Sequence, residues 1–136
     1  MDILEFKQGG FGAPETRALF ALVGEFCASA SIRSDMGAPI SSAQGDTWLV
    51  AKSGEAVVGF CIVSQQKNGI AKLHGLFAPS ADAANKLLAA AVKAAKNAGA
   101  TGMTHTAAAA HVAPLKKHGW VAGPARGQYV TYTKEL

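Results

Sequence analysis

Cysteine is scarce in this chain, which contains only Cys27 and Cys61 among its 136 residues. The two do not form a CxxC pair, no histidine lies near them in sequence, and their neighbours are mostly apolar. This pattern is typical of buried, reduced thiols and not of a zinc site. We therefore expect both thiols to be reduced and no metal ligands to be present.

Long apolar runs are missing as well. The N-terminal segment MDILEFKQGG has an acid at position 2 and only a short semi-apolar run. Such a segment is neither a signal peptide nor a membrane span, so we expect a cytoplasmic protein with no membrane partner. A chain of this length corresponds to one domain, residues 1–136, with a hydrophobic core of its own.

Acidic residues are scarce after Glu55. The formal net charge of +4 is therefore unevenly distributed along the chain. Through Glu55, four basic residues face seven acids, giving −3; from Ala56 onward, nine basic residues face two acids, giving +7. A positive half of this size suits a polyanionic partner, either a nucleotide cofactor or nucleic acid. The alternative is that these lysines are only the solvated faces of helices.

Glycine and proline mark the ends of the first elements. Residues 3–7 predict a short strand, and Pro14 suits the first position of a helix whose apolar face comprises Leu19, Leu22, Val23 and Phe26. Residues 29–46 are rich in small residues and predict a long loop with one short helical turn at 32–36. Loops of that length are often functional.

Two tight turns then predict three antiparallel strands. TWLVAK and AVVGFCIVS are joined by Ser53-Gly54-Glu55, and Asn68-Gly69 leads into IAKLHGLFA. Gly59 interrupts the second of these strands, which indicates a bulge or a close backbone approach.

The longest helix is predicted for residues 80–97. Its buried stripe contains Leu87, Leu88, Ala91, Val92 and Ala95, its lysines lie outside, and Gly99 is a natural C-cap. TGMTHT predicts a strand, and residues 107–117 predict an alanine-rich helix in which Pro114 is unfavourable. Residues 120–122 and 128–133 predict a final strand pair around GPARG.

The junction between the IAKLHGLFA strand and the long helix is the candidate ligand site. A helix N-terminus presents unpaired N–H groups and a positive dipole end, and both suit an anion. The turn Ala78-Pro79-Ser80-Ala81-Asp82 lies at that point.

The segments WLVAKSGEAVVGFCIVS, KLHGLFAP and LKKHGW, in this order, resemble the GNAT superfamily of acetyl-CoA-dependent N-acetyltransferases. The resemblance implies an α+β domain with a mixed, mostly antiparallel central sheet of about six to seven strands and about three to four flanking helices. It also implies that the fourth strand splays from the fifth and that the pantetheine arm of acetyl-CoA lies in the gap.

Carried over, the resemblance places the cofactor on Leu76, Phe77 and Ala78 and on the start of the next helix, at Ser80, Ala81, Asp82, Ala83, Ala84 and Asn85. Residues 80–85 contain neither the glycine nor the arginine of the family's phosphate loop. Asp82 stabilises a helix start but repels a phosphate.

The catalytic positions of the family are altered too. Leu115 stands where many members have a general-acid tyrosine, and Lys72 or Leu73 stands where an acidic residue often serves as base. His74 is the candidate base, since its reference pKa lies near neutrality, although a partly buried structural histidine is the alternative.

Two further catalytic candidates lie later in the chain. His111 lies in AHVAPLKKHGW, which is similar to phage-encoded GNAT-like proteins, including internal virion proteins. Tyr129 is an alternative acid, as is Tyr132, and each has a packing role as its alternative. His105 and His118 are interpreted as structural or exposed.

Three functions remain open from the sequence. The first is transfer of an acyl group from a CoA thioester to a primary amine of a small molecule or protein. The second is a catalytically inactive GNAT-fold binding or structural module, for example in a phage virion, and the third is association with DNA. The oligomeric state is open, a dimer included.

Overall fold

Seven strands form one sheet in the order β1-β2-β3-β4-β5-β7-β6. The structure is a computed structural model that describes residues 1–9, 13–28, 43–66, 68–108, 112–127 and 129–136. Of residues 27–28, 107–108, 112–114 and 125–126 only the backbone is described. The strands are β1 (Asp2–Lys7), β2 (Thr47–Ser53), β3 (Ala56–Gln65), β4 (Ile70–Phe77), β5 (Gly102–Ala108), β6 (Val121–Arg126) and β7 (Tyr129–Glu135).

Helices in the described ranges are α1 (Pro14–Ala28), α2 (Ala81–Asn97) and α3 (Val112–Lys117). In the described sheet, β4 and β5 are parallel and the other neighbouring strands are antiparallel. The predicted α+β architecture with a mixed, mostly antiparallel sheet is therefore confirmed. The loop predicted for residues 29–46 lies mostly outside the described residues, as does its helical turn at 32–36. No helix in the described ranges is long and apolar enough to cross a membrane.

Both predicted hairpin turns form, and each relies on a glycine with positive φ. Gly54 has a φ of 61° between β2 and β3, and Gly69 has a φ of 80° between β3 and β4. The Gly69 N–H donates to the carbonyl oxygen of Gln66 at 3.2 Å, which closes the second turn. Glycine meets this backbone demand without steric cost, so the local sequence was enough to predict both turns.

The sheet buries a different set of side chains on each face, because successive strand residues point in opposite directions. On one face, Leu87 and Leu88 of α2 pack with Leu49, Cys61 and Leu73. On the other face, α1 contributes Leu19 and Val23, which pack with Trp48, Phe60 and Ile62. The apolar stripes predicted for both helices therefore lie against the sheet.

Cys61 is buried in the α2-side core as a free thiol, as predicted. Burial raises the pKa of this thiol to about 12. A thiol in that environment stays protonated and unreactive near neutral pH. The side chain of Cys27 lies outside the described residues.

Two predicted boundaries near the C-terminus were wrong. Ala107 and Ala108 belong to β5, opposite Val130 and Tyr129 of β7, and α3 begins only at Val112. Pairing along a strand outweighs the helix propensity of alanine there. Pro114 consequently falls in the first turn of α3, where proline is tolerated.

The predicted turn around GPARG was also placed too early. Most of that segment continues β6 to Arg126, with a register shift between Ala122 and Ala125, and the turn follows at Gly127. A bulge accommodates Gly123 and Pro124 in the edge strand, where proline loses no ladder hydrogen bond.

Candidate functional site

The parallel strands β4 and β5 separate part of the way along their length. Their pairing runs from Ile70 opposite Gly102 to Leu73 opposite His105. Beyond this point β4 continues to Phe77 and β5 to Ala108, and no further pairing joins these described residues. We call the gap that opens after Leu73 and His105 the fork. It is the splay that the resemblance implied.

A bulge in β4 explains why the strands separate there. Ile62 of β3 faces His74 and Phe60 faces Phe77, so three residues of β3 lie opposite four of β4. Gly75 lies inside this bulge with a φ of 58°, and a Cβ added to it would lie 2.8 Å from the Cδ1 of Ile62. A bulge bends its strand and increases the local twist, which carries the end of β4 away from β5.

Gly59 of β3 lies directly against the bent end of β4. The carbonyl oxygen of Phe77 lies 2.7 Å from the position that a Cβ of Gly59 would occupy. A larger residue at 59 would therefore collide with the β4 backbone. The β2–β3 register also shifts next to this glycine, between Ala51 and Lys52. The prediction that Gly59 marks a bulge or a close backbone approach is confirmed, and both features occur here.

His105 closes the apex of the fork. Its Nδ1 donates to the carbonyl oxygen of Leu73 at 2.8 Å, and the residue is 6% exposed. Its ring packs against that of Trp120 in a T-shaped arrangement, with the centroids 6.5 Å apart. The indole Nε1 of Trp120 is buried and has no hydrogen-bond partner in the described part of the chain. His105 is thus structural, as predicted, but it lies at the point where the strands divide.

The predicted cofactor residues of β4 lie beside the fork, but their side chains are engaged. Phe77 packs between Phe26 and Phe60, with ring centroids 5.7 Å and 5.5 Å apart. Leu76 and Ala78 pack against the α2-side core. Any ligand contact here consequently involves the backbone of these residues more than their side chains.

The N-terminus of α2 is capped by its own sequence. Ser80 is the N-cap, and its Oγ accepts a hydrogen bond from the Ala83 amide at 3.1 Å, while the Ala84 amide donates to the Ser80 carbonyl at 3.0 Å. The amides of Ala81 and Asp82, in the first turn, have no acceptor within the helix itself. Asp82 already places a negative charge in this turn, which competes with a bound anion.

Asn85 is turned to a neighbouring element. Its Oδ1 lies 3.1 Å from the Nε2 of His118, at the end of α3. His118 accepts a further contact through its carbonyl oxygen, to which Lys134 Nζ donates at 2.6 Å. Burial lowers the pKa of His118, and so do the charges of Lys117 and Lys134. Asn85 and His118 thus join α2 to α3.

His74, the candidate base, is the first residue of β4 past the paired segment, and it lies on the α1 face of the sheet. Its Nε2 is 2.6 Å from the Oγ of Ser64 and 3.9 Å from the Oδ2 of Asp46. Burial lowers the pKa of His74 most, the charge of Asp46 raises it, and that of Lys72 lowers it. An imidazole kept neutral in this way can accept a proton.

Of the positions considered for catalysis, Tyr129 and Leu115 lie away from His74. Tyr129 pairs with Ala108 on β7, so β5 lies between it and the fork. Leu115, at the position of the family's tyrosine, is fully buried. His111 lies outside the described residues.

Ser64 and Asp46 were missed from the sequence. The signal for Ser64 was present, since the turn at Asn68-Gly69 sets a register in which Ser64 and His74 are diagonal neighbours across the hairpin. Asp46 gave no comparable signal. It reaches His74 only because β2 and β4 flank β3.

No group of three or more His, Cys, Asp or Glu side chains is placed to hold a metal ion within the described ranges.

Comparison with known proteins identifies the fold. No family model and no curated protein matches the sequence. Among solved structures, Escherichia coli ElaA aligns over 98% of this chain and 99% of its own, with a TM-score of 0.72 and 9% identity. A GNAT-family acetyltransferase from Staphylococcus aureus aligns over 99% of both chains, with a TM-score of 0.67 and 12% identity.

A third structure carries a ligand. It is a Bacillus anthracis protein in complex with acetyl coenzyme A, and it aligns over 67% of this chain and 63% of its own, with a TM-score of 0.57 and 17% identity. At such identities the likeness concerns the fold. The chain therefore has the GNAT fold, as the resemblance in its sequence implied.

Proposed function

We propose that this protein is an acyltransferase that moves an acyl group from a CoA thioester to a primary amine. The observation that carries the proposal is the fork, which opens at a bulge in β4 immediately beside His74. An extended ligand arm would bind the open edge of β4 as an added strand does, through backbone hydrogen bonds. Residues 76–78 supply that edge.

The phosphates of CoA would approach the start of α2. The open amides of Ala81 and Asp82 supply donors at the positive end of the helix dipole, while the Asp82 carboxylate opposes the phosphate charge. Residues 83–85 are occupied by capping, helical and side-chain hydrogen bonds. We expect acetyl-CoA to bind here with modest affinity.

Acyl transfer from a thioester to an amine mainly requires that the protein hold the two groups in the right geometry. A neutral amine attacks a thioester readily once the two are held in the right geometry, and a base that takes the amine proton adds about 10²–10⁴-fold. His74 is the base in this proposal. Leu115 supplies no acid for the leaving thiolate, so the proton gained by His74 serves that step.

Calorimetric titration with acetyl-CoA tests the cofactor part directly. We expect measurable heat and a rise in melting temperature with ligand concentration. No heat and no thermal shift at about millimolar ligand would exclude binding at a useful affinity, about −4 kcal/mol.

A variant of the bulge tests the location. Gly75→Ala forces a Cβ into a positive φ and toward Ile62, and it should weaken acetyl-CoA binding by disturbing the fork. Gly54→Ala is the matched control, because its φ is also positive but a Cβ there meets open space. Both should lose about 1–2 kcal/mol of stability from the left-handed backbone. Equal effects on binding would place the cofactor elsewhere.

A substitution of Phe77 itself, such as Phe77→Asp, cannot be used to locate the cofactor site. The Phe77 ring is part of the α1-side aromatic cluster, so a buried carboxylate there would unfold the protein whatever the ligand does.

A binding or structural module without catalysis is the second candidate. It is favoured by Asp82 and by the absence of glycine and arginine in residues 80–85. Association with DNA belongs to this candidate because of the +7 charge after Glu55, and it predicts binding that weakens steeply with salt. DNA binding without acetyl-CoA binding would favour this candidate over the acyltransferase.

A further inference from the structure

Three polar side chains from three different strands or strand ends meet on the α1 face beside the fork. Asp46 precedes β2, Ser64 lies near the end of β3, and His74 lies in the middle of β4. The Ser64 Oγ and the Asp46 Oδ2 both face the Nε2 of His74, at 2.6 Å and 3.9 Å. We call these residues the polar triplet.

The triplet is preorganised and still reachable by solvent. The Asp46 carboxylate is anchored by the Ala43 amide, which donates to Oδ2 at 2.9 Å. The side chain of His74 is 22% exposed and that of Asp46 is 12% exposed. A nucleophile or base held this close to a partner is the usual signature of a proton-transfer site.

We propose that the polar triplet is a proton relay in which Ser64 is the group that contacts the acceptor amine. This inference rests on the proposed acyl transfer and deepens it. With Ser64 donating to the Nε2 of His74, the basic nitrogen is covered by the hydroxyl. A proton from the substrate then reaches the imidazole through Ser64.

The relay balances without an external acid. The amine attacks the thioester carbonyl carbon and forms a C–N bond, its proton passes to the Ser64 Oγ, and the hydroxyl proton passes to His74. The C–S bond then breaks, and the thiolate receives the proton by the reverse path. This route explains how the reaction proceeds with a buried Leu115 in place of a general acid.

Charges around the triplet support this sequence of events. Asp46 favours the imidazolium that forms during transfer, whereas Lys72 and burial disfavour it in the resting protein. A base that is neutral at rest and whose cation has a nearby carboxylate can both take and return a proton.

Nuclear magnetic resonance titration of the His74 ring tests the coupling without any substrate. Asp46→Asn should lower the His74 pKa, because it removes the charge that raises it. Ser64→Ala should raise that pKa, because it removes a hydrogen bond to the neutral ring. Ser53→Ala, an exposed serine at the end of β2, should leave it unchanged. A His74 pKa that is insensitive to both triplet variants overturns the relay.

Acyl transfer tests the role of Ser64. The probes are acetyl-CoA with a polyamine, an amino sugar and a lysine-containing peptide, and thiol release is followed against pH. Ser64→Ala should lower the turnover of the accepted amine by about tenfold or more, Ser64→Thr should restore much of it, and Ser53→Ala should match the parent.

The outcomes separate the two proposals. A parent protein that transfers to none of the amines overturns the acyltransferase proposal and the relay with it. An active parent whose rate and pH profile survive Ser64→Ala overturns the relay alone. Mass spectrometry that finds an acetyl group on Ser64 also overturns it, because the serine would then be a nucleophile.

Discussion

The two tryptophans, Trp120 and Trp48, are both buried but differ in the hydrogen bonding of their indole N–H groups. Both are almost fully buried, at 3% and 0% exposure. The Nε1 of Trp48 donates to the Oε1 of Gln8 at 3.0 Å, whereas that of Trp120 has no partner among the described residues. A buried donor without an acceptor costs about 1–3 kcal/mol. Trp120 is thus a polar defect next to the apex of the fork.

Replacing each tryptophan with phenylalanine should separate the two cases. Both changes remove similar volume, so their cavity costs are comparable. Trp48→Phe also breaks a hydrogen bond and should lower the free energy of unfolding by about 1 kcal/mol more than Trp120→Phe does. Urea denaturation of both variants measures the difference, and equal losses would contradict the assignment of an unpartnered indole.

At the scale of one element, α2 shows a conflict between folding and ligand binding. Ser80 and Asp82 are what a helix start prefers, a side-chain cap and an acid in the first turn. A phosphate site at the same place prefers bare amides and no negative charge. The sequence of residues 80–85 favours the stability of the helix over the strength of the anion site.

Neutralising Asp82 should therefore change two properties in opposite directions. Asp82→Asn should tighten acetyl-CoA binding in calorimetry by removing a repulsion from the phosphates, while costing about 0.3–1 kcal/mol of stability. Ser80→Ala is the control, since it should cost about 1 kcal/mol through the lost cap without the gain in affinity. A decrease in affinity for Asp82→Asn would mean that the carboxylate itself contacts the ligand.

For the whole molecule, two histidines make stability depend on pH. Burial lowers the pKa of both His74 and His118 in the folded protein. The unfolded chain then binds more protons than the folded one as the pH falls below about 6.5, the ordinary histidine pKa. Stability is complete above that pH and declines with acidification toward the lowered folded pKa values.

Melting temperatures at about pH 7.5 and about pH 5.5 measure this linkage. The parent should lose more stability on acidification than His74→Gln, which lacks one of the two groups. His118→Gln should show the same trend to a smaller extent, because His118 is less buried than His74. A parent that is equally stable at both values, or more stable in acid, would contradict the direction of these shifts.

The sequence by itself determined most of the strands, the two hairpin turns at Gly54 and Gly69 and the two main helices, because these depend on short-range patterns. Gly54, Gly69 and Gly99 each meet a local demand for positive φ, and the stripe from Leu87 to Ala95 has the period of a helix packed on a sheet. His74 was predicted from the sequence as a candidate base on the fourth strand, and that role stays a prediction. The order of these elements was enough to predict the fold.

The tertiary structure alone decided how the polar groups meet. Pairing with β7 placed Ala107 and Ala108 in a strand, although an alanine-rich sequence favours a helix. The bulge at Gly75 opens the fork only because of its register against β3. Asp46 and Ser64 reach the His74 ring because β2, β3 and β4 are neighbours. Contacts between strands far apart in sequence depend on register, and a shift of one residue turns every side chain to the other face.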